Sequence, residues 1–472
     1  MAPCSYAQAL AYLYSFTDYE KQSAYLYSPD RFDLRRMHCL LAALGDPHRR
    51  FASLHIAGTK GKGSVAAMSE QILREAGYHT GLFTSPHLHT FRERIRVDGQ
   101  LIPEAMVVQG LHQLQPHIPS IPGLTTFELI TALAFWTFAQ RSIDIAVVEV
   151  GLGGRLDATN VITPLVSVIT SLSYDHTAIL GTSLAAIARE KGGIIKPGVP
   201  VVSAPQPEEA RAIIEELCKE RNAPLTLVGR DWLWEPKDTT WEGQSFSIHR
   251  SPRLFESDCE LRTADCGLEY WIPLLGRHQL VNATTVLAVM EQLGGQGLCI
   301  PPESIREGLR KVKWPGRLEV LGQRPWVVVD GAHNRDSAQK LRSALKEFFP
   351  HQHLHLIFAT YRDKDIPGML EVLLPIAHEV IVTQFDSPRA ATVAQLEERV
   401  RDMGAQATEA KDVEQALARA HQRAGAKDLI CVTGSVRFAG EARMAWFQAE
   451  GWPLPPHDPP LPPAPEPGAE KR

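Results

Sequence analysis

At 472 residues the chain is too long for one ordinary core, and two or three domains are expected. Hydrophobic residues make up 44% and charged residues 22%, a globular composition, and the net charge of −5 gives neither nucleic acid nor an anionic membrane a reason to bind. Seven scattered cysteines without a C-x-x-C pair, a start that lacks a signal peptide's basic and apolar regions, and a longest apolar run, Leu129 to Ala139, too short for a bilayer point to a cytoplasmic chain.

Residues 1–50 read as helical, with amphipathic stretches at Tyr6 to Phe16 and Leu34 to Leu44, the second closed by Gly45-Asp46-Pro47. Leu54 to Ser64, LHIAGTKGKGS, follows and organises the chain. An apolar run enters a glycine loop, and Val65 to Ala76 has helical composition with a stop at Gly77, so the order is strand, loop, helix. Gly58, Gly61 and Gly63 let successive N–H groups converge at a helix N-terminus, with Lys62 suited to phosphate and Ser64 to Mg²⁺. The spacing departs from the common G-x-x-x-x-G-K-[ST], because Gly63 separates Lys62 from Ser64. A glycine turn after a strand is the plainer alternative.

A second strand, Thr80 to Thr84, runs into Ser85-Pro86, which places Ser85 at a strand's carboxyl end. Thr125-Thr126-Phe127-Glu128 precedes helix 129–139 with capping-box spacing, a role that needs no chemistry. Ile143 to Val150 is a nearly continuous apolar strand of the kind found inside parallel sheets. Glu149 near its end is costly unless paired or metal-bound, and a second glycine loop with Arg155 and Asp157 follows it. Leu165 to Thr170 is another strand, leading to Asp175-His176. Ser64, Glu149 and His176 together offer oxygen, oxygen and nitrogen donors at neighbouring strand ends, where Mg²⁺ could be held. Helix 183–192 ends in Lys191-Gly192-Gly193, and on spacing alone Lys191 is a cation at a helix C-terminus.

Residues 199–228 alternate between strand and helix, and 225–274 form a small, polar-rich antiparallel region. His278 to Ala283 opens a helix through Leu293, and a helix at 302–311 leads to a domain junction at Trp314-Pro315-Gly316-Arg317. Beyond it strands at 326–330, 354–359, 379–384 and 428–433 alternate with helices near 336–348, 368–376, 391–403 and 412–423, which is a second parallel sheet. His351, His353 and His355 read as a solvated face. The expected fold is therefore α/β: a P-loop-type parallel-sheet ATPase domain over 1–314, a smaller Rossmann-like domain over 315–448, and a disordered proline-rich tail over 449–472.

Taken together, GTKGKGS, TSPHL with Phe91 to Ile95, EVGLGGRLDATN, DHTAILG, REKGGIIKPG, HQLVNA, WPGRLE, DGAHN and RDKD resemble the folylpolyglutamate synthase/dihydrofolate synthase family of the Mur ligase superfamily. The resemblance covers nearly the whole chain to about Gly440. Two departures stand out: Lys60, where the family usually has Asn or Asp, and Pro29 to Leu34, where bifunctional members bind the pterin. The resemblance implies an ATP-dependent amide ligase, in which ATP phosphorylates a folate carboxylate and the amine of L-glutamate attacks the acyl phosphate. Tetrahydrofolate is the implied acceptor and dihydropteroate a second. It further implies ATP contacts from Gly58, Thr59, Lys60, Gly61, Lys62, Gly63 and Ser64, and from Asn282, Arg317 and Asp330. Mg²⁺ ligation falls to Ser85, Glu149 and His176. Folate contacts fall to Thr125, Thr126, Phe127 and Glu128, and to Leu156, Asp157 and Ala158. Catalytic roles fall to Lys62, Lys191 and His333, with Lys191 carbamylated. A monomer is expected. A Mur-type ligase acting on a cell-wall nucleotide and a P-loop phosphotransferase are the alternatives, and EVGLGGRLDATN and TTFE favour folate over the former.

Overall fold

The structure, a computed structural model, describes residues 3–19, 32–251 and 268–461. Helices α1 (Tyr6–Tyr14) and α2 (Leu34–Ala43) precede β1 (Ala52–Ala57) and α3 (Lys62–Glu75). Next come β2 (Thr80–Phe83), β3 (Ile95–Val97), β4 (Gln100–Leu101), α4 (Glu104–Leu114), α5 (Thr126–Gln140) and β5 (Ile145–Glu149). The first unit continues through β6 (Val166–Ile169), α6 (Thr177–Leu180), α7 (Leu184–Lys191), β7 (Val201–Ser203), α8 (Glu208–Glu220) and β8 (Leu225–Leu227).

These strands make one sheet in the order β4-β3-β2-β5-β1-β6-β7-β8, parallel from β2 to β8 with an antiparallel edge of β3 and β4. The apolar run of β5 is continuous because both faces of the sheet are covered. Ile145 and Val147 join a core with Leu54, Ile56, Val65 and Met68. Ala146 and Val148, on the other face, join Phe83, Phe135 and Phe138.

Strands β9 (Trp232–Thr240), β10 (Gly243–Arg250) and β11 (Leu268–Ile272) form a separate antiparallel sheet. The antiparallel region thus starts at Trp232 rather than at 225, because Leu225–Leu227 pairs with β7 as the last strand of the large sheet. Residues 252–267 of that region lie outside the described residues. Helices α9 (Arg277–Gly295) and α10 (Pro302–Lys311) then pack beside α3.

The second unit comprises β12 (Glu319–Gln323), β13 (Trp326–Val329), α11 (Arg335–Phe348), β14 (Leu354–Phe358), α12 (Ile366–Leu373), β15 (Glu379–Val382), α13 (Val393–Asp402), β16 (Thr408–Glu409), α14 (Val413–Arg423), β17 (Leu429–Thr433) and α15 (Val436–Ala449). Its sheet runs β12-β13-β17-β14-β15-β16, with only β12 antiparallel. His355 corrects the expectation of a solvated face. It is buried, with Nδ1 3.0 Å from Glu379 and Nε2 3.5 Å from Asp428.

The tail also departs from expectation. Residues 450–461 form no regular element, yet the Asp458 carboxylate accepts hydrogen bonds from Tyr6 Oη at 2.7 Å, Thr90 Oγ1 at 2.6 Å and the Phe91 N–H at 2.8 Å. A single acid with three buried donors holds a segment whose composition promises no core. Residues 462–472 lie outside the described residues.

Candidate active site

Four neighbouring strands, β2, β5, β1 and β6, end in the segments that sequence reading singled out. Ser85 follows β2, Glu149 closes β5, the glycine loop leaves β1, and Ser171 to His176 leave β6. Gly61 has φ of +89°, and a Cβ there would lie 2.4 Å from Asn282 Oδ1. Only glycine lets α9 approach the loop this closely. Helix α3 has no side-chain cap at Gly61, the condition in which a helix N-terminus can take an anion. Ser64 Oγ accepts from Gln279 Nε2 at 3.2 Å, and Gln279 Oε1 accepts from Asn282 Nδ2 at 2.9 Å. Gln279 was not anticipated, although its i,i+3 spacing to Asn282 on one helix face was readable.

Thr59 and Lys60 behave differently from the rest of the loop. Both N–H groups donate to Ser171 O, at 3.0 and 3.1 Å. Thr59 Oγ1 donates to Ser173 O. Lys60 Nζ reaches Asp175 Oδ2 at 2.9 Å and His333 Nε2 at 3.0 Å. At these two positions the donors engage the β6 exit and the second unit.

Glu149 is buried, with Oε1 3.8 Å from Lys62 Nζ and Oε2 accepting from the Ser85 N–H at 3.2 Å. His176 lies beside Asp175 at 3.8 Å. Lys191, the last residue of α7, is buried and donates to Gly58 O at 2.9 Å. It therefore points into the glycine loop rather than capping its helix toward solvent.

The Thr125–Glu128 run forms a capping box. Glu128 Oε2 accepts from the Thr125 N–H at 2.8 Å, and Thr125 Oγ1 accepts from the Glu128 N–H at 3.2 Å. Thr126 Oγ1 donates to Leu13 O at 3.0 Å. Glu128 also pairs with Arg36 Nε at 3.0 Å. Arg36 lines a cavity of about 510 Å³ with Asp33, Arg35, Cys39 and Ile121. The Phe127 ring lies against Gly151, where a Cβ would meet it at 2.4 Å. Beyond Leu156, Asp157 accepts from the Leu152 N–H at 2.9 Å and the Thr159 N–H at 3.0 Å, opening a 3-10 turn at Ala158. Phe127 thus packs on the Gly151-Leu152 turn that Asp157 holds through the Leu152 N–H, while Thr125, Thr126 and Asp157 have most of their polar groups engaged locally.

Across the junction Asp330 accepts from the Leu318 and Ala332 N–H groups, each at 2.9 Å. Gly331 lies against the Arg317 guanidinium. Asn334 Nδ2 donates to Asp175 Oδ2 at 3.1 Å, and Lys364 Nζ lies 3.8 Å from Asp175 Oδ1. The second unit therefore faces the phosphate loop directly.

Comparison with known proteins places this geometry. Residues 56–290 match the profile of the Mur ligase middle domain, and residues 316–436 match that of the Mur ligase glutamate ligase domain. A Bacillus subtilis dihydrofolate synthase/folylpolyglutamate synthase is 34% identical over 439 residues, covering 91% of this chain and 99% of that protein. A Lacticaseibacillus casei folylpolyglutamate synthase is 36% identical over 401 residues, covering 82% and 87%. The chain belongs to the folylpolyglutamate synthase/dihydrofolate synthase family. Among solved members, the Mycobacterium tuberculosis folylpolyglutamate synthase complexed with ADP superposes with a TM-score of 0.82 at 32% identity, covering 93% of this chain and 98% of that one. An Escherichia coli member in complex with DHPP and ADP gives 0.81 at 30%, covering 96% and 99%.

The electrostatics of this family member follow from burial. Desolvation raises the Glu149 carboxyl, with Lys62 opposing it, and raises Asp330 against Arg317. Desolvation pushes Lys191 down to about 7, helped by Lys62. His333 is pushed down to about 4 by desolvation and then by Lys60. At neutral pH the site thus holds a neutral His333 and a Lys191 that is neutral in a substantial fraction of molecules.

Proposed function

We infer that the chain is an ATP-dependent ligase that adds L-glutamate to a folate through an acyl phosphate. The observation that carries this reading is the placement of an uncapped, lysine-bearing phosphate loop directly opposite a glutamate ligase domain, joined through Lys60, Asp175 and His333. No side chain serves as nucleophile in this chemistry. The protein's task is to place the carboxylate, the γ-phosphoryl and the amine in line and to balance charge. Lys62, on the first turn of α3, neutralises the transferred phosphoryl. Asn282, Arg317 and Asp330 hold the nucleotide from the junction, and Thr125 to Glu128 with Leu156 to Ala158 hold the folate beside the cavity that Arg36 lines.

Ser85, Glu149 and His176 suit Mg²⁺. Among the described residues no three His, Cys, Asp or Glu side chains converge as a self-sufficient metal cage. One buried carboxylate with incomplete local compensation, a hydroxyl and a neutral imidazole fit an ion that keeps waters and phosphate oxygens as its other ligands. Such an ion would screen the phosphate charge. Neutral Lys191 is poised for carbamylation.

The chain is read as a cytoplasmic monomer. In support, Cys39, Cys218, Cys299 and Cys431 are free thiols, and no described helix is long and apolar enough to cross a membrane. Phosphate release measured with ATP, Mg²⁺ and each of tetrahydrofolate and dihydropteroate, with and without L-glutamate, tests the reading. Release that requires both glutamate and a pterin substrate is expected. Release independent of glutamate would return the chain to the phosphotransferase alternative.

A further inference from the structure

Lys60 occupies a phosphate loop yet directs its side chain elsewhere. Its backbone N–H is committed to Ser171 O. Its Nζ spans from Asp175, on the first unit, to His333, on the second, at 2.9 and 3.0 Å. The bond to His333 has a defined sense. His333 Nδ1 lies 2.9 Å from Gly331 O, a carbonyl that can only accept, so Nδ1 carries the proton. Nε2 is then a lone pair that accepts from the Lys60 ammonium. Asp175 is the shared anion of the cluster, with Asn334 Nδ2 at 3.1 Å, His333 Nε2 at 3.7 Å and Lys364 Nζ at 3.8 Å. The Lys60 and Asp175 side chains are both largely buried, at 15% and 11% exposure, so neither charge is well screened by water.

We propose that Lys60 is a positioning residue for the amino-acid substrate rather than a phosphate ligand. This rests on the ligase reading above. The lysine fixes His333 in its Nδ1–H form and, through Asp175, sets where Asn334 and Lys364 stand. Those are the second-unit groups that face the phosphate loop, across which the amine of glutamate must approach the acyl phosphate. Without Lys60, Asp175 is left within 3.7 Å of His333 Nε2 and acts on the ring as an acceptor. The ring must then present a donor to it, either as the other tautomer or as imidazolium. Either state changes the hydrogen-bonding sense of the imidazole at the site of amine entry, with the phosphate-facing N–H groups of α3 unchanged.

The test compares Lys60→Met, which keeps the aliphatic stem without donors, with Lys60→Arg, which can reach both acceptors. The dissociation constant of a non-hydrolysable ATP analogue is expected to stay within about threefold of wild type in both, while the KM for glutamate rises about tenfold or more in Lys60→Met and falls back toward wild type in Lys60→Arg. Analogue binding also reports that each variant is folded. Loss of analogue affinity with an unchanged glutamate KM would overturn the proposal in favour of a phosphate ligand, and no change in either would make Lys60 a bystander. Nitrogen-15 spectra of the His333 ring, assigned by difference against His333→Gln, give a readout that does not need turnover. The Nδ1–H pattern is expected in the wild type and lost in Lys60→Met. Wild-type protein without glutamate-dependent phosphate release would overturn the ligase reading and the substrate role together, and the ring spectra alone would then decide whether Lys60 sets the His333 tautomer.

Discussion

Two lysines from different helices meet at the glycine loop in opposite surroundings. Lys62 lies 3.8 Å from Glu149 at the start of an uncapped helix, the place proposed above for the phosphoryl being transferred. Lys62→Ala is expected to lower kcat by more than tenfold, a barrier increase above about 1.4 kcal/mol, with the fold retained though Glu149 loses its compensating charge. A variant retaining more than a tenth of wild-type kcat would take Lys62 out of the phosphoryl step. Lys191 is buried instead, and a pKa near 7 leaves its amine free to add CO₂, giving a carbamate and releasing one proton. Protonation removes the nucleophilic lone pair, so activity that depends on the carbamate should fall as pH drops through about 7 and recover in part with added bicarbonate. Carbon-13 NMR after equilibration with labelled bicarbonate should show a carbamate resonance absent from Lys191→Ala. A bare amine in a fully active enzyme would exclude the modification. On stability the sign is fixed as well. A depressed lysine pKa means that the unfolded chain binds more protons between about 7 and the ordinary lysine value, so this group's contribution favours the fold increasingly as pH rises through that window. Residue spacing put Lys62 in the phosphate loop but left Lys191 as a helix-terminal cation, which only the family resemblance carried to the site, and spacing could not tell a loop lysine that faces phosphate from one that faces a second domain. Lys60 and Lys62 differ by two positions, and only the tertiary position of Asp175 and His333 separates them.

At the scale of elements the reading from sequence succeeded wherever a period was long or a cap explicit. β5, β13, β15 and β17 each carry three or four consecutive apolar residues that are almost all buried, and such runs leave little choice of structure. The two-residue edge strands β4 and β16 carry no period at all, and their pairing is decided by neighbours. The capping box at Thr125 was read in full. The structure adds that its carboxylate also holds Arg36, so one acid fixes both the start of α5 and the wall of the adjoining cavity. Thr125→Ala is expected to cost about 1 kcal/mol in unfolding free energy, lowering the denaturation midpoint with little change in nucleotide affinity. Glu128→Gln keeps an acceptor for the Thr125 N–H but removes the charge that pairs Arg36. It should raise the KM for folate more than it lowers stability. Equal stability losses with no effect on folate would confine the run to capping.

For the molecule as a whole, the two units meet along a seam as well as through a linker. A Cβ on Gly316 would lie 3.1 Å from Leu88, and one on Gly440 would lie 2.6 Å from Leu88 O. Arg443 reaches His89 at 3.1 Å and Glu319 at 2.8 Å. Asp458 adds a second attachment, returning from the end of the second unit to Tyr6, Thr90 and Phe91 of the first. A body held at the linker and again near Thr90 has one easy motion, rotation about the line joining those points. Such a rotation would change the distance from His333 and Lys364 to the phosphate loop. Small-angle scattering should therefore show compaction on adding ATP, Mg²⁺ and folate, with the junction at Pro315-Gly316 as hinge. Asp458→Ala removes one attachment, leaves the buried Phe91 N–H without its acceptor and leaves the Tyr6 and Thr90 hydroxyls only each other, at 3.4 Å. It is expected to lower stability by about 1–3 kcal/mol and to enlarge the ligand-free radius of gyration, while the fully liganded form, held by contacts at the site itself, keeps wild-type dimensions. If the variant matches wild type in both thermal midpoint and ligand-free dimensions, the tail contact carries no mechanical load and the seam at Leu88 alone guides closure.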